Sequence, residues 1–368
     1  MMKMTHTICP SCSVGCGINL ITKNQEVVGT YPYKRHHINE GKNCSRGRKC
    51  FEVLSEKTRL TFPLIKKGSL IDSDWEEALN MAVKEIKSLK GEEIGIIASG
   101  NCTNEECEIL KKFADALGVE NIGYNNHNFS NFDFETGSFD DVENSQFILI
   151  IGDILKENPL MGRRIIRAKE NGAEIIAADY PDKTTTGINA DEYIQIKSIK
   201  EFLDNLSFEV QSKLNEDSII IVGKLDHKQE LDEFYQIASN SNSKIVLVMD
   251  DCNSRGAMNT LPVLDKDDLK TLIEGVKLLY VVGDDPASYT EKSFKNLDFL
   301  ITQTTTLNDT ALISDIVLPG AFWAEKSGSF TNCTGNIQKI PQVVPVAGKA
   351  LDDVTIIQKI AEKLGIDL

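Results

Sequence analysis

Three closely spaced cysteines near the N-terminus, Cys9, Cys12 and Cys16, joined by Cys44 further on, constrain this chain more than any other feature. Thiolates spaced C-x2-C-x3-C each reach a different corner of one small cubane, and the fourth ligand then arrives from a distance. Structural zinc ordinarily draws on two separated pairs; no second pair occurs here, which leaves zinc as the alternative metal. Gly15 and Gly17 flank the third cysteine, where a chain wrapping a cluster has to turn tightly. Cys50 competes with Cys44 as fourth ligand: Cys44 sits in the loop-forming Asn43-Cys44-Ser45-Arg46-Gly47, whereas Cys50 opens an apolar stretch where burial suffices. The chain holds nine cysteines, five of them in its first fifty residues. An odd and crowded set of this kind points to a thiolate-bound metal in a reducing compartment rather than to disulfides.

The first sixty residues differ from the rest. Short β-type runs at residues 5–9, 17–22 and 26–31 are too short to build a core alone, so the cysteines are expected to staple them. Ser73 and Glu76 then read as a capping box opening a helix with Trp75, Ala78, Leu79, Ala82, Val83 and Ile86 on its apolar face. Strands and helices alternate from there. Strands are expected at 94–98, 147–151, 174–178, 218–222, 244–249, 275–282, 298–302 and 315–318, and helices after Thr103 and over 160–170, 229–238 and 353–364. That order means an α/β protein with parallel sheets and helices on both faces, with ligands at the carboxyl ends of the strands. Residues 184–186 and 304–306, each three threonines, read as polar loops.

Other features narrow the function. With 40 basic against 55 acidic residues the net charge is -15, and without a concentrated basic patch such a chain would repel nucleic acid. The longest apolar runs fall far short of the ~18 to 20 residues that span a bilayer, and no export signal opens the chain, so a cytoplasmic location is expected. Signatures of NTPases, zinc proteases, serine hydrolases and dinucleotide-binding Gly-rich turns are absent. Cys102 lies beside a helix N-terminus, which favours thiolate, yet packing is the commoner fate; Cys107, Cys252 and Cys333 read as buried spectators. His36 and His37 read as a solvated turn, and His6, His127 and His227 as isolated side chains.

The opening ICPSCSVGCGINLITKNQEVVGTYPYKRHHINEGKNCSRGRKC resembles the N-terminal cluster domain of the molybdopterin oxidoreductase family. Within that family it resembles the alpha subunits of methanogen, deazaflavin-linked formate dehydrogenases. ASGNCTNEECEILKKFADALG, ILIIGDILKENPLMGRRIIRAKENGAEIIAADYPDKT, LLYVVGDDPA, TTTLNDTALISDIVLPGAFWAEKSGSFTNCTGNIQ and IIQKIAEKLG continue the likeness in order. The resemblance implies a small β-rich [4Fe-4S] domain over residues 1–58 and two interleaved Rossmann-like domains. One would comprise residues 59–125 plus 260–368, the other an insertion of residues 126–259. It implies a bis-molybdopterin guanine dinucleotide with molybdenum or tungsten, faced by loops carrying Gly152, Asp153, Asp179, Gly283, Asp285 and Thr305. Arg46 replaces the lysine that usually lies between cluster and pterin, preserving the charge for an electron relay.

Three departures accompany the likeness. The segment GYNNHNFSNFDFETGSFDD has no cysteine where formate dehydrogenases carry a metal-ligating cysteine or selenocysteine. Met249 stands where the family's catalytic arginine is expected, with Arg255 out of register. The chain ends at Leu368, where the family continues into a C-terminal β-barrel domain. The expectation is an electron-carrying iron-sulfur subunit of a hetero-oligomer, with partner subunits bearing Fe-S or flavin centres and no formate oxidation of its own. The alternatives are a non-catalytic scaffold, like the degenerate large subunit of respiratory NADH dehydrogenases, and a formylmethanofuran dehydrogenase-like subunit.

Overall fold

The computed structural model describes residues 2–126, 134–225, 227, 229–290 and 293–368. His127 lies outside the described residues. Among the described residues, the strands form four sheets. The largest has eight strands in the order Val263–Leu264, Asn121–Asn125, Ile94–Ala98, Leu278–Val282, Phe299–Thr304, Ile316–Pro319, Leu64–Lys67 and Ser69–Asp72. A second has five, in the order Glu192–Gln195, Glu174–Asp179, Phe147–Ile151, Ser218–Val222 and Lys244–Leu247. Its pairings are all parallel. Central strands such as Phe147–Ile151 and Leu278–Val282 are buried along their whole length because helices cover both faces. The chain leaves the larger sheet after Asn125 and returns at Val263, which pairs with Tyr124.

The larger sheet departs from the expected parallel plan at one edge. Leu64–Lys67 runs antiparallel to Ile316–Pro319 and turns through Gly68 into Ser69–Asp72. A tight hairpin allows this antiparallel pairing, whereas a parallel neighbour would need a long crossover. The following helix, Trp75–Lys87, starts one residue later than expected: Asp74 is the cap and accepts from the Glu77 N–H, while Ser73 bonds the Glu77 carboxylate instead. Asp74 holds the extended backbone that a cap needs, and its carboxylate also suits the positive helix end. The helix expected after Thr103, Asn104–Leu117, opens on a reciprocal cap between Thr103 and Glu106, and Gly118 ends it with φ 66°. Thr184 is not part of a simple loop: it caps a short helix, Thr185–Asn189.

The N-terminal sheet, Met2–Ile8, Gly17–Lys23 and Glu26–Pro32, is antiparallel. Its core of Val14, Ile18, Leu20 and Ile38 is small and merges with one face of the five-stranded sheet. Arg164, on the helix Pro159–Glu170, fixes this junction by donating to the carbonyls of His37 and Ile38 at 2.6 and 3.1 Å. Arg163 and Arg167 on the same helix grip Glu40.

Candidate cluster pocket and adjoining cavity

The cysteine loop turns where Gly15 adopts φ 73° and the Cys9 N–H donates to the Cys16 carbonyl at 2.8 Å. A side chain at Gly15 would strike Gln338 and Asn332, so only glycine fits. Ser13, between Cys12 and Cys16, anchors the loop on both sides. It exchanges bonds with Met249, donating its N–H to that carbonyl at 3.0 Å and accepting the Met249 N–H on its hydroxyl at 2.7 Å. Its own carbonyl accepts the Cys333 N–H at 2.7 Å.

Four thiols, those of Cys9, Cys12, Cys16 and Cys44, line one pocket, together with Ser11, Asn43, Gly47, Asn158, Pro159 and Leu160. Cys44 opens the helix Ser45–Lys49, and its sulfur accepts the Gly47 N–H at 3.3 Å. A Cβ at Gly47 would stand 3.4 Å from the Cys9 sulfur and 3.8 Å from that of Cys44, so glycine keeps this wall open. Cys50 does not line this pocket: its thiol faces the Gly47 carbonyl at 3.3 Å and a neighbouring larger cavity. Its hydrogen bond to Cys9 lowers the Cys9 pKa to about 7 and raises its own. Burial pushes Cys12 up to about 11 and Cys16 well above the ordinary thiol value. Metal must displace those protons, since the thiolate is the ligand. Among the described residues, no three His, Cys, Asp or Glu side chains are arranged to hold a single metal ion. Four sulfur donors around a shared pocket, with an open glycine wall, suit a cubane.

The larger cavity, about 550 Å³, adjoins the first. Ser11 contributes to both, and the helix Ser45–Lys49 stands between them: Cys44 and Gly47 face the thiols, while Arg46 and Lys49 face the cavity. Arg46 donates to the Glu157 carbonyl. Gly283, Thr304 and Thr305 reach the cavity from the carboxyl ends of their strands. The turn at Thr305 is held by Arg59, which donates to the carbonyls of Leu60, Thr305 and Gly320 and pairs with Glu325 at 2.6 Å. Trp323 also lines the cavity, its indole N–H buried without a partner. Lys326 lines it too, bonded to Glu106 at 2.6 Å and Asp353 at 2.9 Å, both also in the cavity wall.

Gly152, Asp153 and Asp179 lie instead at the carboxyl ends of the five-stranded sheet, away from the cavity wall. Asp153 accepts from the N–H groups of Thr185 and Thr186, and Asp285 from the Thr310 N–H and hydroxyl. Both carboxylates thus hold neighbouring helix starts. Met249 is buried against Ser13, and Arg255 is not among the residues lining the cavity. Cys102 and Cys252 do line it, but burial raises both thiols well above their ordinary pKa.

His36 is not a solvated turn residue. Its ring packs on Gly17 and its Nδ1 accepts the Gly17 N–H at 3.2 Å; burial lowers its pKa to about 4. Lys34, Arg35 and His37 beside it are exposed, so the solvated reading holds for His37 and not for His36. Sequence reasoning also missed Asn43, Asn158, Arg59, Trp323 and Lys326, whose roles depend on contacts across long sequence separations.

A cysteine-lined pocket on a small β domain, set against two α/β sheets with a cavity beyond it, defines an iron-sulfur oxidoreductase architecture. Residues 2–56 match the molybdopterin oxidoreductase Fe4S4 domain and residues 59–363 the molybdopterin oxidoreductase family. The chain belongs to that family. It is 32% identical to the F420-dependent formate dehydrogenase subunit alpha of Methanocaldococcus jannaschii, over 99% of this chain and 70% of that protein. It is 30% identical to F420-dependent formate dehydrogenase 1 subunit alpha of Methanococcus maripaludis, over 99% of this chain and 71% of that protein. Acetylene hydratase from Pelobacter acetylenicus shares the fold, with a TM-score of 0.69 and 16% identity over 98% of this chain and 69% of its own. No helix among the described residues is long and apolar enough to cross a membrane.

Proposed function

We propose that this chain is an electron-carrying subunit of a formate dehydrogenase-like complex, with one [4Fe-4S] cluster on Cys9, Cys12, Cys16 and Cys44. The observation that carries the reading is the shared thiol pocket separated from the larger cavity by one short helix. A cubane bound there would supply a one-electron carrier. Arg46 brings a fixed positive charge to the cavity side of that helix, and Ser11 bridges both spaces, which gives electrons a short route between them.

Lys49 and Arg46, with the unpaired Trp323 N–H, suit an anionic, hydrogen-bond-accepting ligand in the larger cavity, as a molybdopterin would be. The groups for formate chemistry are another matter. Catalysis needs a metal ligand, a proton acceptor beside it and a cation for the carboxylate, and single electrostatic donors are already worth ~10²- to 10³-fold. With no cysteine in residues 123–141 and Met249 packed against the cluster loop, we propose that the chain does not oxidise formate itself. Its partners would be redox subunits bearing Fe-S or flavin centres.

The test is anaerobically purified protein supplied with molybdate or tungstate, in which iron, sulfide, molybdenum, tungsten and pterin are counted beside formate-dependent dye reduction. About four iron and four sulfide per chain without turnover are expected. A zinc-loaded, iron-free protein would sink the cluster, and turnover of ~1 to 10³ per second would sink the electron-carrier reading.

A further inference from the structure

The thiol pocket is closed on one side by a residue outside the N-terminal domain. Asn158 immediately precedes the helix Pro159–Glu170 and is 2% exposed. Its backbone is fully engaged: its N–H donates to the Ile154 carbonyl at 2.8 Å, and its carbonyl accepts the Gly162 N–H at 3.0 Å. Its side chain makes no capping bond to the helix it introduces. The side-chain Nδ2 is buried without a hydrogen-bond partner, although the residue lines the same pocket as the four cysteines.

A buried amide donor left unpaired is costly and rare in native proteins. Here its surroundings are sulfur atoms that become negative on losing their protons to metal, and such atoms are strong acceptors for an amide N–H. Of the two ends of an asparagine amide, only the N–H end is compatible with that ring. Asn43 offers a second buried, unpaired Nδ2 on the same pocket from within the cluster segment; its carbonyl is taken by Asn39. Asn158 differs in its origin, since the adjoining Glu157 carbonyl receives Arg46. One short stretch of the five-stranded-sheet region therefore touches both the cluster pocket and the relay residue.

We propose that the Asn158 side chain donates an N–H···S hydrogen bond to the cluster and thereby sets its reduction potential. This rests on the cluster reading above. A reduced cluster carries one more negative charge than the oxidised one, so a donor stabilises the reduced form more and raises the potential. Asn158 acts as a positioning residue: it holds the potential where the cavity-side reaction can use it, without touching substrate.

Wild type, Asn158→Leu and Asn158→Ala are purified anaerobically, their iron and sulfide counted, and the cluster titrated by electron paramagnetic resonance. Proton couplings of the reduced cluster are compared in H2O and D2O. Variants with a full complement of iron are expected to show a reduced-to-oxidised ratio about tenfold lower at a fixed poise, equivalent to a fall of about 59 mV for a one-electron couple. They should also lose one exchangeable-proton coupling. A fully loaded variant with the wild-type potential overturns the proposal. If the leucine variant fails to load, the alanine variant is read. Absence of any exchangeable coupling in wild type overturns the proposal whatever the variants do. An iron-free wild type overturns the cluster reading first, whereas a loaded wild type with an insensitive potential removes only the role of Asn158.

Discussion

Asp251 lies where the two α/β sheets meet, beside Gly100 and Tyr124, and accepts a bond from Asn101 at 2.9 Å. Burial, reinforced by the charge on Asp284, raises its pKa from 3.8 to about 6. A carboxyl raised in this way holds its proton more tightly in the folded chain. Its stabilising contribution is fully present below the unfolded value and is lost as pH climbs through about 6. Asp251→Asn should therefore flatten the fall in stability between pH 4 and 7. At pH 8 it should stabilise by about 1 kcal/mol, discounted because part of the side chain meets water. Urea denaturation across that range checks it; an unchanged pH profile refutes it. At this scale the gathering of the four thiols round one pocket was legible, because three of them are local in sequence. Asn158 was not: an asparagine before a proline reads as a helix start, and the thiols whose pocket it lines lie more than a hundred residues earlier in the chain. His36 was misread because its exposed neighbours suggested solvent.

Elements are tied together through a few buried charges. Lys326 links Glu106 on the helix Asn104–Leu117 to Asp353 at the start of Asp353–Leu364, and its side chain is 9% exposed. Burial leaves Glu106 with a pKa of about 7 even beside that lysine. Replacing Lys326 with Met would leave two buried carboxyls without their cation, a loss of about 3 to 5 kcal/mol at pH 8. The loss should shrink toward pH 5, as Glu106 takes up a proton that the unfolded chain holds less firmly. Chemical denaturation at both pH values measures it, and an equal loss at each would contradict the argument. Most strands and long helices were legible because their apolar periodicity and caps are local. The edge hairpin of Leu64–Lys67 and Ser69–Asp72 was not, since four-residue strands rich in exposed side chains carry little pattern.

The whole molecule is held by junctions rather than by separate cores. Residues of the N-terminal sheet share one apolar cluster with the five-stranded sheet, and Arg164 stitches the two. We propose the division into residues 1–58, 59–125 plus 260–368, and 126–259 as the order in which the molecule loosens. In Cys12→Ser the first segment should become protease-sensitive before the other two, because so small a domain depends on its metal. Cleavage appearing first within residues 59–368 would refute that order. That the chain leaves the eight-stranded sheet after Asn125 and rejoins it at Val263 could not be read from alternating strands, which do not say which sheet each joins.

The anchoring of Ser13 to Met249 and Cys333 has a consequence in time. A ribosome delivers the four cysteines within the first 44 residues, long before either anchor exists. Until the last third of the chain emerges, the thiols lie on a segment without its native supports. Metal loading is accordingly expected to follow synthesis rather than accompany it, and a pulse of radioactive iron during translation would reach the finished chain, not the nascent one.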